Sequence, residues 1–220
     1  MIDLLQRGKR PEVWLPTNEH ILKKLGRYPT VIEKARFNDK GLVVATDGSL
    51  RVPAYVGSGL GFNRPGQTYM NGDLYPKLEE MGVYVLDPFA ACAEFLPADV
   101  FNDQQSVAEQ RKRWEQFNKI IGLVNYGILM PHARMMIAVM EGYPPDEGLA
   151  AEVSYFSSNF GQVLGVRSDF RLAENPAATA NPAITFFMGG PYGGDYFEGP
   201  GSYEELFKMT KQLVQEIIQQ

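Results

Sequence analysis

The sequence predicts an α/β protein: a doubly wound, flavodoxin- or Rossmann-like, mostly parallel five-stranded sheet with flanking helices and an N-terminal extension. Three observations predict it. Short apolar or β-branched runs recur from residue 54 onward, each bounded by Gly, Pro, Asn or Asp. Stretches with helical spacing lie between them. The alternation of the two implies parallel pairing through right-handed crossovers. With 220 residues, 45% of them hydrophobic, the chain is long enough to bury a sizeable core.

In chain order, residues 1–50 read as an extension packed on the main domain of residues 51–220. "RGKRPEVWLP" is basic and proline-broken, and "FNDKGLVVATDGSLRVP" suggests a short strand closed by a turn at "DGS". "AYVGS", "VYVLDP", "MMIAVMEG", "VLGV" and "AITFFM" are the five buried-strand candidates. The intervening helices are "QTYMNGDLYPKLEEMG", a long amphipathic stretch through "RKRWEQFNKIIGLVNYGIL", and "GLAAEVSYFSSNFG". A final helix starts at "SYEELF", where Ser202 and Glu205 have capping-box spacing. The glycine-rich "GGPYGGDYFEGPGS" before it reads as an ordered connection, with a mobile lid as the sharper alternative.

Composition narrows the function classes. A net charge of -5 argues against a nucleic acid polymer as partner, because phosphate binding needs clustered Lys and Arg. One cysteine, Cys92, and two distant histidines, His20 and His132, are poor metal-ligand material, and no metal or cofactor is expected. Cys92 reads as a small buried apolar residue. No apolar run reaches membrane-spanning length and no signal-peptide pattern opens the chain, so a cytoplasmic location without membrane contact is expected.

Open α/β sheets bind ligands outside the carboxyl ends of their strands, which directs attention to the loops after the first three of these strands. "GSGLGFNRPG" carries Gly57, Gly59 and Gly61, but Phe62 stands where a dinucleotide fingerprint needs its last glycine, and no P-loop lysine follows. The glycines still admit a ligand close to the backbone, and Phe62 offers a face for a flat ring. In "YPPDEGLAAEVSYF", Asp146 is placed to cap a helix, and Gly148 lies one turn before Glu152. Glycine in a helix costs about 1 kcal/mol relative to alanine, which suggests space left for a substrate beside Glu152. The neighbours Ala150, Ala151 and Val153 leave little polar face around that glutamate. The helix N-terminus is expected to favour its ionised form.

A carboxylate nucleophile in a narrow site suits retaining glycosyl transfer. "DEGLAAE", preceded by "NYGILMPHARMMIAVMEG" and followed by "GVRSDFR", resembles the nucleoside 2-deoxyribosyltransferase family over about residues 53–190. The resemblance implies transfer of 2-deoxyribose between nucleobases through a covalent deoxyribosyl-glutamate. It matches Glu152 to the nucleophile, Asp146 to an acid that holds substrate and assists the leaving base, and Tyr55 to the tyrosine that orients the nucleophile. It further implies that Gly57, Gly59 and Phe62 line the sugar and base site, that Asn125 lies near substrate, and that Asn181 reaches the sugar of a neighbouring protomer. 2-Deoxynucleosides and free nucleobases are the implied partners, in a homo-oligomer with shared sites. One departure is Arg134, where the family usually has an aspartate before the central strand. A hydrolase acting on a deoxynucleoside or its 5-monophosphate, with Arg64, Arg134, Arg167 and Arg171 as candidate phosphate ligands, is the alternative. A noncatalytic nucleotide-binding module is the third.

Overall fold

The computed structural model describes residues 18–96, 106–142, 146–168, 182–188 and 194–220. In chain order the elements are α1 (Asn18–Leu25), α2 (Thr30–Glu33), β1 (Val43–Val44), β2 (Leu50–Ser58) and α3 (Arg64–Tyr69), which runs through a π-turn (Met70–Leu74) into α4 (Tyr75–Glu80). Then come β3 (Val83–Leu86), α5 (Pro88–Ala93), α6 (Val107–Val124), a second π-turn (Asn125–Leu129), α7 (Met130–His132) and β4 (Met135–Val139). α8 (Glu147–Asn159), β5 (Gln162–Arg167), α9 (Pro182–Met188), β6 (Gly194–Glu198) and α10 (Ser202–Gln219) complete the described chain. No helix among the described residues is long and apolar enough to cross a membrane.

Five strands pair in parallel in the spatial order β3-β2-β4-β5-β6, and β1 adds an antiparallel hairpin arm to β2, making six. This is the flavodoxin-like order, and its switch point falls between β2 and β4. The central strands β2, β4 and β5 are mostly apolar and buried because helices cover both faces, whereas the edge strand β6 is partly exposed. Alternate residues of β4 serve opposite layers: Met135, Ile137 and Val139 pack with Leu74 and Leu78 of the α3–α4 unit and Leu206, Leu213 and Ile217 of α10. Met136 and Ala138 pack with Ile128, Leu149, Val153 and Phe156 on the other side.

The expected doubly wound fold is present, with two local corrections. "AITFFM" is the helix α9 and not a strand. Its first residue is Pro182, which suits the start of a helix. Ile184, Phe187 and Met188 turn inward at spacings of three and four while Phe186 is 74% exposed. A short apolar run of this composition is ambiguous between strand and helix until that spacing is seen. The fifth parallel strand is instead β6, inside the glycine-rich stretch read as a connection. Gly194 lies so close to β5 that a side chain there would meet the Val163 carbonyl oxygen at 2.3 Å.

The second correction concerns α10. Gly201, at φ 84°, is its N-cap, and the buried Ser202 makes no capping hydrogen bond. A capping box forms at Ser106 and Glu109 of α6. The hairpin read at "DGS" is present, with Val44 opposite Leu50. The described part of the N-terminal segment is tied to the sheet layer. Ile21 and Ile32 join the core, and Tyr84 Oη donates to the Val31 carbonyl at 2.7 Å.

Candidate active site

Three stretches of chain converge at the carboxyl ends of β2 and β4, where the strand order reverses. β2 supplies Tyr55 and runs on into the Gly57–Phe62 loop; the π-turn after α6 supplies Asn125; and α8, entered after β4, supplies Asp146 and Glu152. A π-turn accommodates one extra residue and is frequent at functional sites. This one carries the buried Asn125 and the half-buried Tyr126.

Glu152 is the centre of the site. Tyr55 Oη donates to its Oε1 at 2.6 Å, and Asn125 Nδ2 donates to the same oxygen at 3.1 Å. Both donors are buried, Tyr55 at 0% and Asn125 at 4% exposure, so the pair is preorganised in a poorly hydrated wall. Burial raises the Glu152 carboxyl to about 7 against the opposing pull of those two bonds, and the nearby Asp146 charge adds to the rise. The helix N-terminus does not prevail, contrary to the sequence expectation: desolvation is the larger effect. Tyr55 is pushed well above its ordinary value by burial and by the Glu152 charge, which keeps its hydroxyl a donor.

The Gly57–Phe62 loop lies against both acids. A Cβ at Gly57 would stand 2.6 Å from Leu149 Cδ1 and 3.1 Å from Glu152 Oε2. One at Gly59 would be 3.1 Å from Asp146 Cβ. Asp146 caps α8, with Oδ1 accepting from the Leu149 amide at 2.7 Å. Gly148 is exposed, and its missing Cβ points at Asp146 Oδ1, 3.1 Å away. It is Gly57 on the facing strand, and not Gly148, that lies against Glu152: its missing side chain lets Leu149 and Glu152 pack directly on the β2 backbone. Phe62 is 72% exposed and meets Phe89 of α5 edge to face at 5.0 Å.

Asn181 and Arg171 lie outside the described residues. Arg134 stands immediately before β4, at the amino end of the sheet, where Nη1 donates to the Lys40 carbonyl at 3.2 Å. The carboxyl end of β4 is five residues further on, roughly 16 Å at strand rise, so this departure fastens the N-terminal segment and does not face Glu152. Arg64 opens α3 on the surface, and Arg167 is buried at the end of β5.

Three neighbours of the site were not singled out from the sequence as site residues. Tyr126 packs edge to face on Tyr155 at 5.0 Å, and burial, followed by the Glu152 charge, pushes its hydroxyl up to about 12. Cys92 is buried as expected, but its Sγ also donates to Asn125 Oδ1 at 3.5 Å. Phe89 fills the volume above Gly61, where a Cβ would overlap its ring. Adjacency to Asn125 was the available signal for Tyr126; nothing local in "PFAACAEF" marks Cys92 or Phe89.

No family model matches the chain, and no curated protein matches it in sequence. Among solved structures, a conserved protein from Enterococcus faecalis V583 aligns with 74% of this chain and 99% of its own length, at 15% identity and a TM-score of 0.48. A 2-deoxyribosyltransferase from Bacillus psychrosaccharolyticus aligns with 70% of this chain and 90% of its own, at 15% identity and a TM-score of 0.40. Likenesses this distant decide neither fold nor chemistry, which rest on the strand pairing and on the residues around Glu152.

Proposed function

We propose that the chain transfers 2-deoxyribose between nucleobases by a retaining double displacement on Glu152. The observation that carries this reading is the convergence of Tyr55 and Asn125 on one oxygen of Glu152, while its other oxygen, Oε2, packs beside the Gly57 backbone, where a Cβ would stand 3.1 Å from it. Donors on Oε1 aim Oε2 and hold it, as a nucleophile in a near-attack arrangement requires. The motif resemblance around "DEGLAAE" points to the same chemistry.

In the first step Oε2 attacks the anomeric carbon. A carbon–oxygen ester bond forms, the carbon–nitrogen glycosidic bond breaks, and its electron pair departs with the base, which takes up a proton. Asp146, one loop away beside Gly59, is the acid assigned to that proton. In the second step a nitrogen of a free base attacks the same carbon. The ester bond breaks, Glu152 leaves as carboxylate, and the incoming base gives its proton to the Asp146 carboxylate, which restores the acid used in the first step. Two inversions give net retention. A 2-hydroxyl would press on the Tyr55–Glu152 pair, which accounts for a deoxyribose preference. A neighbouring subunit reaching the sugar through Asn181 belongs to the same proposal.

The test is a chromatographic assay of a deoxynucleoside with and without a second base. Glu152→Ala is expected to abolish base exchange and leave the far-ultraviolet circular dichroism unchanged; wild-type rates in that variant would remove Glu152 from the mechanism. Release of free deoxyribose at full rate without a second base would assign hydrolysis instead, with the exposed Arg64 beside the loop as the first phosphate ligand to replace. Binding without either reaction would leave a nucleotide-binding module.

A further inference from the structure

A carboxamide has two chemically opposite ends of nearly equal shape, so packing alone does not decide which end Asn125 turns toward Glu152. With Nδ2 forward it stabilises the carboxylate. With Oδ1 forward it repels it. The charge on Glu152 thus favours Nδ2 forward, and a donor at the other end adds to that preference: there Cys92 Sγ lies 3.5 Å from Oδ1. Cys92 sits on α5, 6% exposed. Burial, with the Glu152 and Asp87 charges, raises the thiol to about 12, so it keeps its proton and remains a donor. α5 is itself fixed at both ends. Asp87 caps its start, accepting from the Phe89 amide at 2.8 Å, and Glu94 at its end is bound by Arg27 at 2.6 Å and by Thr30 Oγ1 at 2.7 Å.

We propose that Cys92 is a positioning residue: its S–H, donating to Asn125 Oδ1, fixes the amide with Nδ2 toward Glu152 and so sets the acidity and aim of that carboxylate. The inference rests on reading Glu152 as the reacting group. Cys92 itself makes no hydrogen bond to the carboxylate and acts through a relay of two hydrogen bonds. Without the thiol the amide is free to invert. Glu152 Oε1 then retains Tyr55 alone and faces an oxygen in place of a donor, and both changes favour the protonated acid.

The experiment titrates the Glu152 carboxyl directly, by carbon NMR of protein labelled at glutamate Cδ, with the resonance assigned by its loss in Glu152→Gln. Cys92→Ala removes the donor, and Cys92→Val removes it while filling the volume, which covers the case in which the smaller residue fails to fold. Cys92→Ser keeps a donor. The expected result is a Glu152 midpoint raised by about half to one pH unit in the Ala and Val variants and restored in Ser. The acid limb of kcat/KM should move in parallel, with roughly two- to fivefold lower kcat/KM at pH 7. A folded Val variant with an unshifted Glu152 midpoint, or a Ser variant shifted as far as Val, would overturn the proposal. Because the titration needs no turnover, absence of base exchange would count against the function proposed above and leave the Cys92 result standing.

Discussion

Tyr55 and Glu152 are 97 residues apart in sequence and joined by a 2.6 Å hydrogen bond across the gap between β2 and α8. The bond links a fully buried phenol to a half-buried carboxylate. It is therefore both a support for the proposed nucleophile and a restraint on its acidity: the phenol lowers the Glu152 pKa, burial raises it, and burial wins.

Tyr55→Phe removes the first of those opposing influences. With wild-type Glu152 near 7, kcat/KM should fall about tenfold per pH unit below that value and level off above it. In the Phe variant the limb should move upward by about one unit, because one of two donors to the charged form is gone. A pH–rate profile from pH 5 to about 9 measures this, and an unmoved limb would show that the bond does not tune Glu152.

Glu152→Gln should eliminate exchange and also change how stability depends on pH. The folded-state pKa, about 7, lies above the ordinary 4.5. Between those two values the folded state binds more protons than the unfolded state, so wild-type stability declines as pH rises through this window and is level beyond it. The glutamine variant lacks that decline. Relative to wild type it should gain on the order of 3 kcal/mol between pH 4 and pH 8, a difference in which the Tyr55 and Asn125 bonds to the anion are already included. Urea unfolding at the two pH values measures the difference.

Glu94 titrates in the opposite direction. Burial tends to raise its carboxyl, but the bonds from Arg27 and Thr30 together prevail and hold it below 4.5. Its stabilising contribution is present above 4.5 and lost as pH falls through the lower folded value. It receives Thr30 N at 3.0 Å and so caps α2 from 64 residues away. Glu94→Ala should cost about 1–2 kcal/mol at neutral pH, and Glu94→Gln should flatten the acid limb of the stability curve. Both are read by thermal unfolding, and a mutant as stable as wild type at pH 7 would show the tie to be dispensable.

The sequence made the sheet legible because apolar runs and turn residues repeat with a strand-and-helix period, and it singled out Asp146 and Glu152 because "DEGLAAE" is compact and opens a helix, whereas Tyr55, 97 residues from Glu152, entered through the family resemblance alone. The runs it misread are those where local chemistry is ambiguous. "AITFFM" fits either period, and β6 hides among glycines whose purpose, letting Gly194 approach β5, exists only in three dimensions. Cys92 escaped for a related reason. Its significance lies in an amide 33 residues away, and burial of a lone thiol looks the same from sequence whether or not it donates.

Gly57 and Gly148, both singled out from the sequence, differ in what an added methyl would meet. A methyl at Gly57 would stand 2.6 Å from Leu149 Cδ1, 3.1 Å from Glu152 Oε2 and 3.2 Å from Met136 Cε. The strand backbone is pinned by pairing with Ala138, so the side chains must yield, and Glu152 is among them. Gly57→Ala should lower kcat/KM at least tenfold, about 1.4 kcal/mol of transition-state stabilisation. Gly148→Ala gains up to about 1 kcal/mol of helix propensity and crowds only the Asp146 cap at 3.1 Å, so activity should change less than threefold. Steady-state rates and melting temperatures of the two variants decide it. Equal losses of activity would return Gly148 to the substrate wall, whereas a loss confined to Gly57→Ala shows that the close approach of the β2 backbone to Glu152 is what activity requires.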